Sequence, residues 1–91
     1  MQKIVINRCY GGFSISAACA KRMTELGHDV AEGYQGSRSN PALVQAVEEL
    51  GEDADGSLSN LIVVEIPDGV DWQIEEYDGF EWVAEKHRTW P

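Results

Sequence analysis

The chain has 91 residues, which suffices for a single domain over 1–91 and is too short for two independent hydrophobic cores. Apolar residues make up 43% of it and charged residues 25%, so the composition argues against a disordered or fibrous protein. The net charge of −9 argues against direct binding of nucleic acid, because the phosphates would be repelled.

The first part of the chain predicts a strand, a helix and a loop. Residues 2–7 contain the apolar run Ile4-Val5-Ile6 and precede a glycine pair, which is typical of a buried strand ended by a turn. A helix with one apolar stripe follows; either Ser14 or Ser16 caps its start, and Gly27 ends it. Residues 28–39 contain small polar residues without an apolar period, so they predict a loop.

A second helix and a second strand follow this loop. Asn40 is a good cap and Pro41 suits the first helical position, and the apolar stripe that they open runs to Gly51. Residues 61–66 are apolar apart from one Glu, and most of them are β-branched, which is the strongest strand signal in the chain.

The end of the chain predicts a β-hairpin. Asp78 and Gly79 tolerate the positive φ angles of a two-residue turn, and they separate strand-like residues 72–77 and 80–84. Most of the aromatic side chains of this hairpin, including those of Trp72 and Trp82, are expected on one core-facing side.

These elements predict an α+β fold in the order β-α-α-β-β-β. We expect two layers, a mixed four-stranded sheet and two helices on one of its faces. The first two strands are expected to run parallel through a right-handed helical crossover. The centre of the first strand is the continuous apolar run Ile4-Val5-Ile6, so we place this strand in the interior of the sheet.

The segment between the first strand and the first helix is the best candidate for ligand binding. Glycines there let the backbone approach a ligand, and free N–H groups at a helix start favour anions. The segment matches no known phosphate-loop motif, so a purely structural tight turn is the competing interpretation. The candidate ligand-binding residues in it are Arg8, Tyr10, Gly11, Gly12, Phe13, Ser14 and Ser16.

Three residues after the hairpin complete the candidate ligand site: His87, Arg88 and Trp90. They lie near a chain terminus, and terminal residues are ordered only when contacts hold them in place. These residues could therefore line a binding groove, form a contact between subunits of an oligomer, or simply pack against the rest of the domain. We expect the Gly11-Gly12 turn to lie beside them, so that Arg8 and Arg88 would focus an anionic ligand at one composite site.

Catalysis and metal binding find little support in the sequence. Cys9 could act as a nucleophile with His28 or His87 as its base, but neither histidine has a recognisable catalytic context. The cysteines and histidines lack the close pairs that zinc sites use. We therefore expect no catalytic residue, no metal and no cofactor.

The distribution of charge favours a basic partner. Residues 39–85 contain thirteen carboxylates and neither Lys nor Arg. The competing interpretation is that these acidic residues only keep a small protein soluble. No stretch approaches the roughly 18 consecutive apolar residues of a membrane span, and the two cysteines lack an export signal, so we expect a cytoplasmic protein with reduced thiols and no membrane partner.

Both ends of the chain also resemble a known family. Residues 3–16 (KIVINRCYGGFSIS) and 77–90 (YDGFEWVAEKHRTW) are similar to short proteins of unknown function that recur in tailed phages and prophages. The resemblance extends to the second helix and to residues 64–67, and it leaves out residues 28–39. It implies the cytoplasm of a host cell and a phage accessory role such as counter-defence.

The sequence thus leads to two main hypotheses of function, with a Cys9-dependent enzyme as a third. The first is a non-enzymatic phage accessory protein that binds a host or phage component, acting as a counter-defence inhibitor through its acidic surface. The alternative is a binding protein for a small molecule, a nucleotide or other anionic ligand, held by the Gly-Gly turn at a helix N-terminus. A homo-oligomer is compatible with either.

Overall fold

The computed structural model describes residues 1–28, 34 and 36–85. Its elements in chain order are β1 (Gln2–Asn7), α1 (Ala17–Glu25), α2 (Pro41–Leu50), a 3-10 helix (Gly51–Ala54), β2 (Leu61–Ile66), β3 (Trp72–Tyr77) and β4 (Phe80–Glu85). The predicted α+β class is confirmed. In this part of the chain, no helix is long and apolar enough to cross a membrane.

Side-chain caps define where the two α-helices begin. The Ser16 hydroxyl accepts a hydrogen bond from the Cys19 backbone N–H at 3.0 Å, so Ser16 rather than Ser14 caps α1. The Asn40 side-chain oxygen accepts from the Ala42 N–H at 2.9 Å, and the following proline has no N–H that would need a partner. The predicted start of α2 is therefore confirmed.

The strands do not form the predicted single mixed sheet. β1 pairs with β2 and β3 pairs with β4, and both pairs are antiparallel. The predicted parallel arrangement of β1 and β2 is wrong because two helices, packed against each other, connect them and return the chain to the end where β1 stopped. There the Arg8 N–H donates to the Asn60 carbonyl at 2.8 Å, and β2 runs back alongside β1.

The second edge of β1 faces β4, but side chains rather than a backbone ladder join the two strands. The Asn7 backbone N–H donates to the Glu81 carboxylate at 2.7 Å, and the Val5 N–H donates to the Arg38 carbonyl at 2.8 Å. Ile4, Val5 and Ile6 are buried, as the apolar pattern predicted, and the polar Asn7 is buried as well. The prediction that β1 lies in the interior of a continuous sheet is nevertheless wrong, since side-chain contacts between β1 and β4 replace the expected ladder of backbone hydrogen bonds.

The hairpin turn is confirmed, but the predicted placement of its aromatic residues is wrong. Asp78 and Gly79 have φ angles of 54° and 89°, as a two-residue turn requires. This turn pairs Tyr77 with Phe80, so Trp82 shares a face with Glu75 and not with Trp72. Successive side chains of a strand point to opposite faces of the sheet. With a two-residue turn, the even-numbered residues of β3 therefore share a face with the odd-numbered residues of β4.

The core lies between the β1–β2 pair and the two helices. Val5 and Leu61 from the strands pack with Met23 from α1 and Leu43 from α2. Tyr34, in the segment predicted to be a loop without core contacts, is also buried in this cluster. Its hydroxyl donates to the Ser37 carbonyl at 2.8 Å, so the polar end of this ring is satisfied.

Cys19 is expected to resist alkylation as long as the protein is folded. It has no exposed surface, and burial raises the pKa of its thiol to about 11, so the reactive thiolate is scarce near neutral pH. Cys9 is only partly buried and serves as the internal control. Mass spectrometry after brief iodoacetamide treatment should find Cys9 labelled first. Equal labelling of both cysteines in folded protein would contradict the burial of Cys19.

Candidate interaction face

The glycines of the predicted ligand turn are held by other parts of the protein. A Cβ atom on Gly11 would collide with the Leu58 backbone, and a Cβ on Gly79 would lie 2.5 Å from the Gly12 nitrogen. Gly12 also has a φ angle of 93°, which favours glycine. Close packing against Leu58 thus accounts for Gly11, and the positive φ angle accounts for Gly12.

Ser14 and Ser16 line an open cavity of about 440 Å³ at the start of α1. Besides capping the helix, the Ser16 hydroxyl donates to the Asp53 carbonyl at 2.6 Å. The Ser14 carbonyl accepts from the Ser59 hydroxyl at 2.8 Å. These contacts engage the Ser16 side chain and the Ser14 backbone within the protein, where they join α1 to the segment before β2.

Arg8 and Tyr10 lie against the hairpin. The Arg8 guanidinium carbon lies 4.2 Å from the centre of the Phe80 ring, and the Tyr10 and Phe80 ring centres are 5.2 Å apart. An Arg8 guanidinium nitrogen also donates to the Glu81 carbonyl at 3.2 Å. Two predicted ligand residues are therefore brought together with Phe80, which sequence reasoning did not select.

Phe13 borders a second open cavity of about 410 Å³, lined also by Arg38, Ile74, Glu76 and Glu81. The Arg38 guanidinium stacks 3.5 Å from the centre of the Phe13 ring. Its two terminal nitrogens donate to the two Glu81 carboxylate oxygens at 2.7 and 3.0 Å. This bidentate pair was not predicted, and it holds the hairpin against β1.

One face of the hairpin lies opposite the face that bears Glu81, and apart from Phe80, which Arg8 and Tyr10 contact, it carries exposed aromatic side chains. Tyr77 is 70% exposed and Trp82 is 38% exposed. The Trp82 ring N–H donates to the Glu75 carboxylate at 3.0 Å, which holds an acidic group at the edge of the ring. We call this surface the outer face; it consists of Gln73, Glu75, Tyr77, Phe80, Trp82 and Ala84.

The acidic groups of the protein differ from one another in their pairing. Lys3 pairs with Glu48, and Arg22 pairs with Glu49, whose pKa is lowered by that hydrogen bond. Among the described residues, no ion pair involves the exposed carboxylates of the hairpin: Glu75, Glu76, Asp78 and Glu85. The outer face and its rim therefore combine exposed aromatic rings with carboxylates that no described base pairs with, while the Arg8 guanidinium stacks on Phe80 of the same face.

The remaining predicted site residues do not form a second centre in the described part. His28 contacts Asn40, with 3.2 Å between side-chain nitrogens, and its ring lies 6.1 Å from that of Tyr34. No group of three or more potential metal ligands occurs among residues 1–28, 34 and 36–85. His87, Arg88 and Trp90 lie outside the described residues, so their predicted contact with the Gly11-Gly12 turn stays a prediction.

Comparisons of the chain with family models, curated proteins and solved structures find no match.

Proposed function

We propose that the protein is a non-enzymatic phage accessory protein that binds a basic host or phage protein through its outer face. One observation carries the proposal: Tyr77 and Trp82 are exposed beside carboxylates that no described base neutralises. Tryptophan and tyrosine dominate the binding energy of many interfaces. Aromatic rings next to carboxylates also attract Lys and Arg side chains, through cation–π contacts and ion pairs together.

The charge pattern supports a partner that normally binds nucleic acid. Although Glu48, Glu49 and Glu81 are paired with bases from outside residues 39–85, the net charge of −9 presents a field of the same sign as a phosphate backbone. A basic groove that accepts DNA or RNA would accept such a surface as well. With the phage setting that the resemblance implies, we propose a host defence factor in the cytoplasm as the partner, which the protein inhibits by occupying that groove.

Affinity capture from a bacterial host lysate tests this function. At low salt, the wild-type protein should retain one or a few basic proteins, and about 0.5 M salt should release them because exposed charges are then screened. Trp82→Ala should lower retention at least about tenfold, the loss of a single hot-spot contact.

Ile62→Ala is the matched control for this capture. Ile62 on β2 has the same 38% exposure as Trp82 but lies in the other sheet. Its substitution should leave retention unchanged. Equal retention by the wild type and Trp82→Ala, or retention of acidic proteins alone, would contradict the proposal.

A small anionic ligand remains the second candidate because Arg8 lies over Phe80 beside Tyr10. A nucleotide base could stack on this pair of rings while Arg8 binds its phosphate. A nucleotide panel in a thermal-shift assay separates the two functions. A specific ligand at 100 times its Kd stabilises a protein by about 2.7 kcal/mol, whereas the protein-binding function predicts no shift.

A further inference from the structure

We infer that the partner binds by adding an extended strand to the outer edge of β3, with basic and apolar side chains alternating along that strand. This inference rests on the proposed function and specifies its binding mode. It follows from the position of β3 in the fold, from the direction of its backbone groups and from the different chemistry of the two hairpin faces.

β3 is the strand of the hairpin that lies farther from β1. In the described part of the chain it pairs with β4 alone, while β4 lies between β3 and β1. All six residues of β3 are partly or fully exposed. An exposed edge strand offers a row of backbone donors and acceptors to which another chain can add.

The hairpin turn determines which backbone groups are offered. A two-residue turn makes Tyr77 and Phe80 a hydrogen-bonded pair, and bonded and non-bonded pairs then alternate along the two strands. The N–H and C=O groups that point away from β4 consequently belong to alternate residues: Trp72, Ile74 and Glu76. An added strand of about five residues would reach all three, given about 3.4 Å of rise per residue.

The two faces of β3 require different side chains from the added strand. On the outer face, a side chain beside Glu75 and Tyr77 meets a carboxylate and an exposed ring, which suits Arg or Lys. On the opposite face, a side chain beside Ile74 enters the cavity of about 410 Å³ next to Phe13. At that position Ile74 and Phe13 offer contacts to an apolar side chain, although the charged Arg38 and Glu81 also line the cavity. Glu76 at the exposed rim of the cavity offers a second contact for a base.

A second copy of the protein does not meet these requirements. Pairing of two β3 strands would bring Glu75 and Glu76 of each copy close to those of the other. Like charges opposite each other destabilise antiparallel pairs, and each copy carries a net charge of −9. Charge complementarity thus selects a basic segment of another protein as the occupant of this edge.

Backbone N-methylation of a defined probe tests the inference. The probe is a blocked peptide that alternates Arg and Val, and its binding to the full chain is measured by calorimetry. In an added strand, only every second N–H points toward β3. Two isomers, N-methylated at all Arg or at all Val positions, therefore have the same charge and side chains but block different edges of the peptide.

We expect one isomer to bind at least about tenfold more weakly than the parent peptide, because it loses several backbone hydrogen bonds, and the other to bind as the parent does. Glu76→Pro, which removes an outward N–H of β3, should weaken the parent peptide more than Glu76→Gln, which removes only the charge. Equal binding by both isomers would overturn strand addition and leave binding to the outer face intact. Failure of the parent peptide to bind would overturn it too, and lysate capture would still test the proposed function separately.

Discussion

Replacing Glu81 by Ala is expected to lower the free energy of unfolding by about 3–5 kcal/mol, because it leaves a largely buried guanidinium without its carboxylate. The Arg38 and Glu81 side chains are only 19% and 6% exposed, and both Glu81 oxygens accept from Arg38. The same change leaves the Asn7 backbone N–H without its hydrogen-bond acceptor. The loss is a large part of the roughly 5–15 kcal/mol that stabilises a typical domain, and urea unfolding measures it.

Two comparisons show whether burial of the charge causes this loss. Glu48→Ala removes a carboxylate of the same kind from an exposed pair, Lys3 and Glu48, and should cost less than about 1 kcal/mol. The double variant Arg38→Met/Glu81→Leu removes both charges and should be more stable than Glu81→Ala alone. If Glu81→Ala and Glu48→Ala lowered the free energy of unfolding by a similar small amount, the buried ion pair would not hold β4 against β1.

Replacing Asn7 by Ala is expected to cost about 3–5 kcal/mol, since it removes a buried side chain and leaves three partly buried backbone groups without its hydrogen bonds. Asn7 has no exposed surface. Its side-chain nitrogen donates to the carbonyls of Cys9 and Gly79 at 2.7 Å each, and its oxygen accepts from the Asn60 N–H at 2.8 Å. One amide thus joins the end of β1, the hairpin turn and the start of β2.

The matched control is Asn60→Ala, which deletes the same kind of side chain at an exposed position. Its backbone N–H still donates to Asn7, so stability should change by no more than about 0.5 kcal/mol. Hydrogen exchange of the Asn60 amide should be faster in Asn7→Ala than in the wild type. If both substitutions cost the same, Asn7 does not hold these segments together.

Local signals in the sequence predicted the elements of the fold. Asn40 and Pro41 gave the start of α2, and Asp78-Gly79 gave the turn of the hairpin, because caps and tight turns depend on a few adjacent residues. Strand pairing depends on where the chain returns after two packed helices, which no local pattern determines. The predicted mixed sheet therefore failed although its strands were found.

The site could be predicted only in part for the same reason. Arg8 and Tyr10 were selected and lie at the hairpin, but Trp82 was assigned to the core. The pairing rule of a two-residue turn would have placed Trp82 opposite Glu75, and Glu81 on the face of Ile74. An inward carboxylate requires a cation, yet its partner Arg38 is 43 residues away, beyond any motif.

Photo-crosslinking from Tyr77 in cells tests binding through the outer face most directly. A benzoylphenylalanine at Tyr77, which is 70% exposed on β3, should form a discrete adduct with a basic protein, and the adduct should disappear when Trp82→Ala is added. The same group at Gln45, exposed on α2, should form no such adduct. Crosslinking to the same protein from Gln45 but not from Tyr77 would contradict the proposed function.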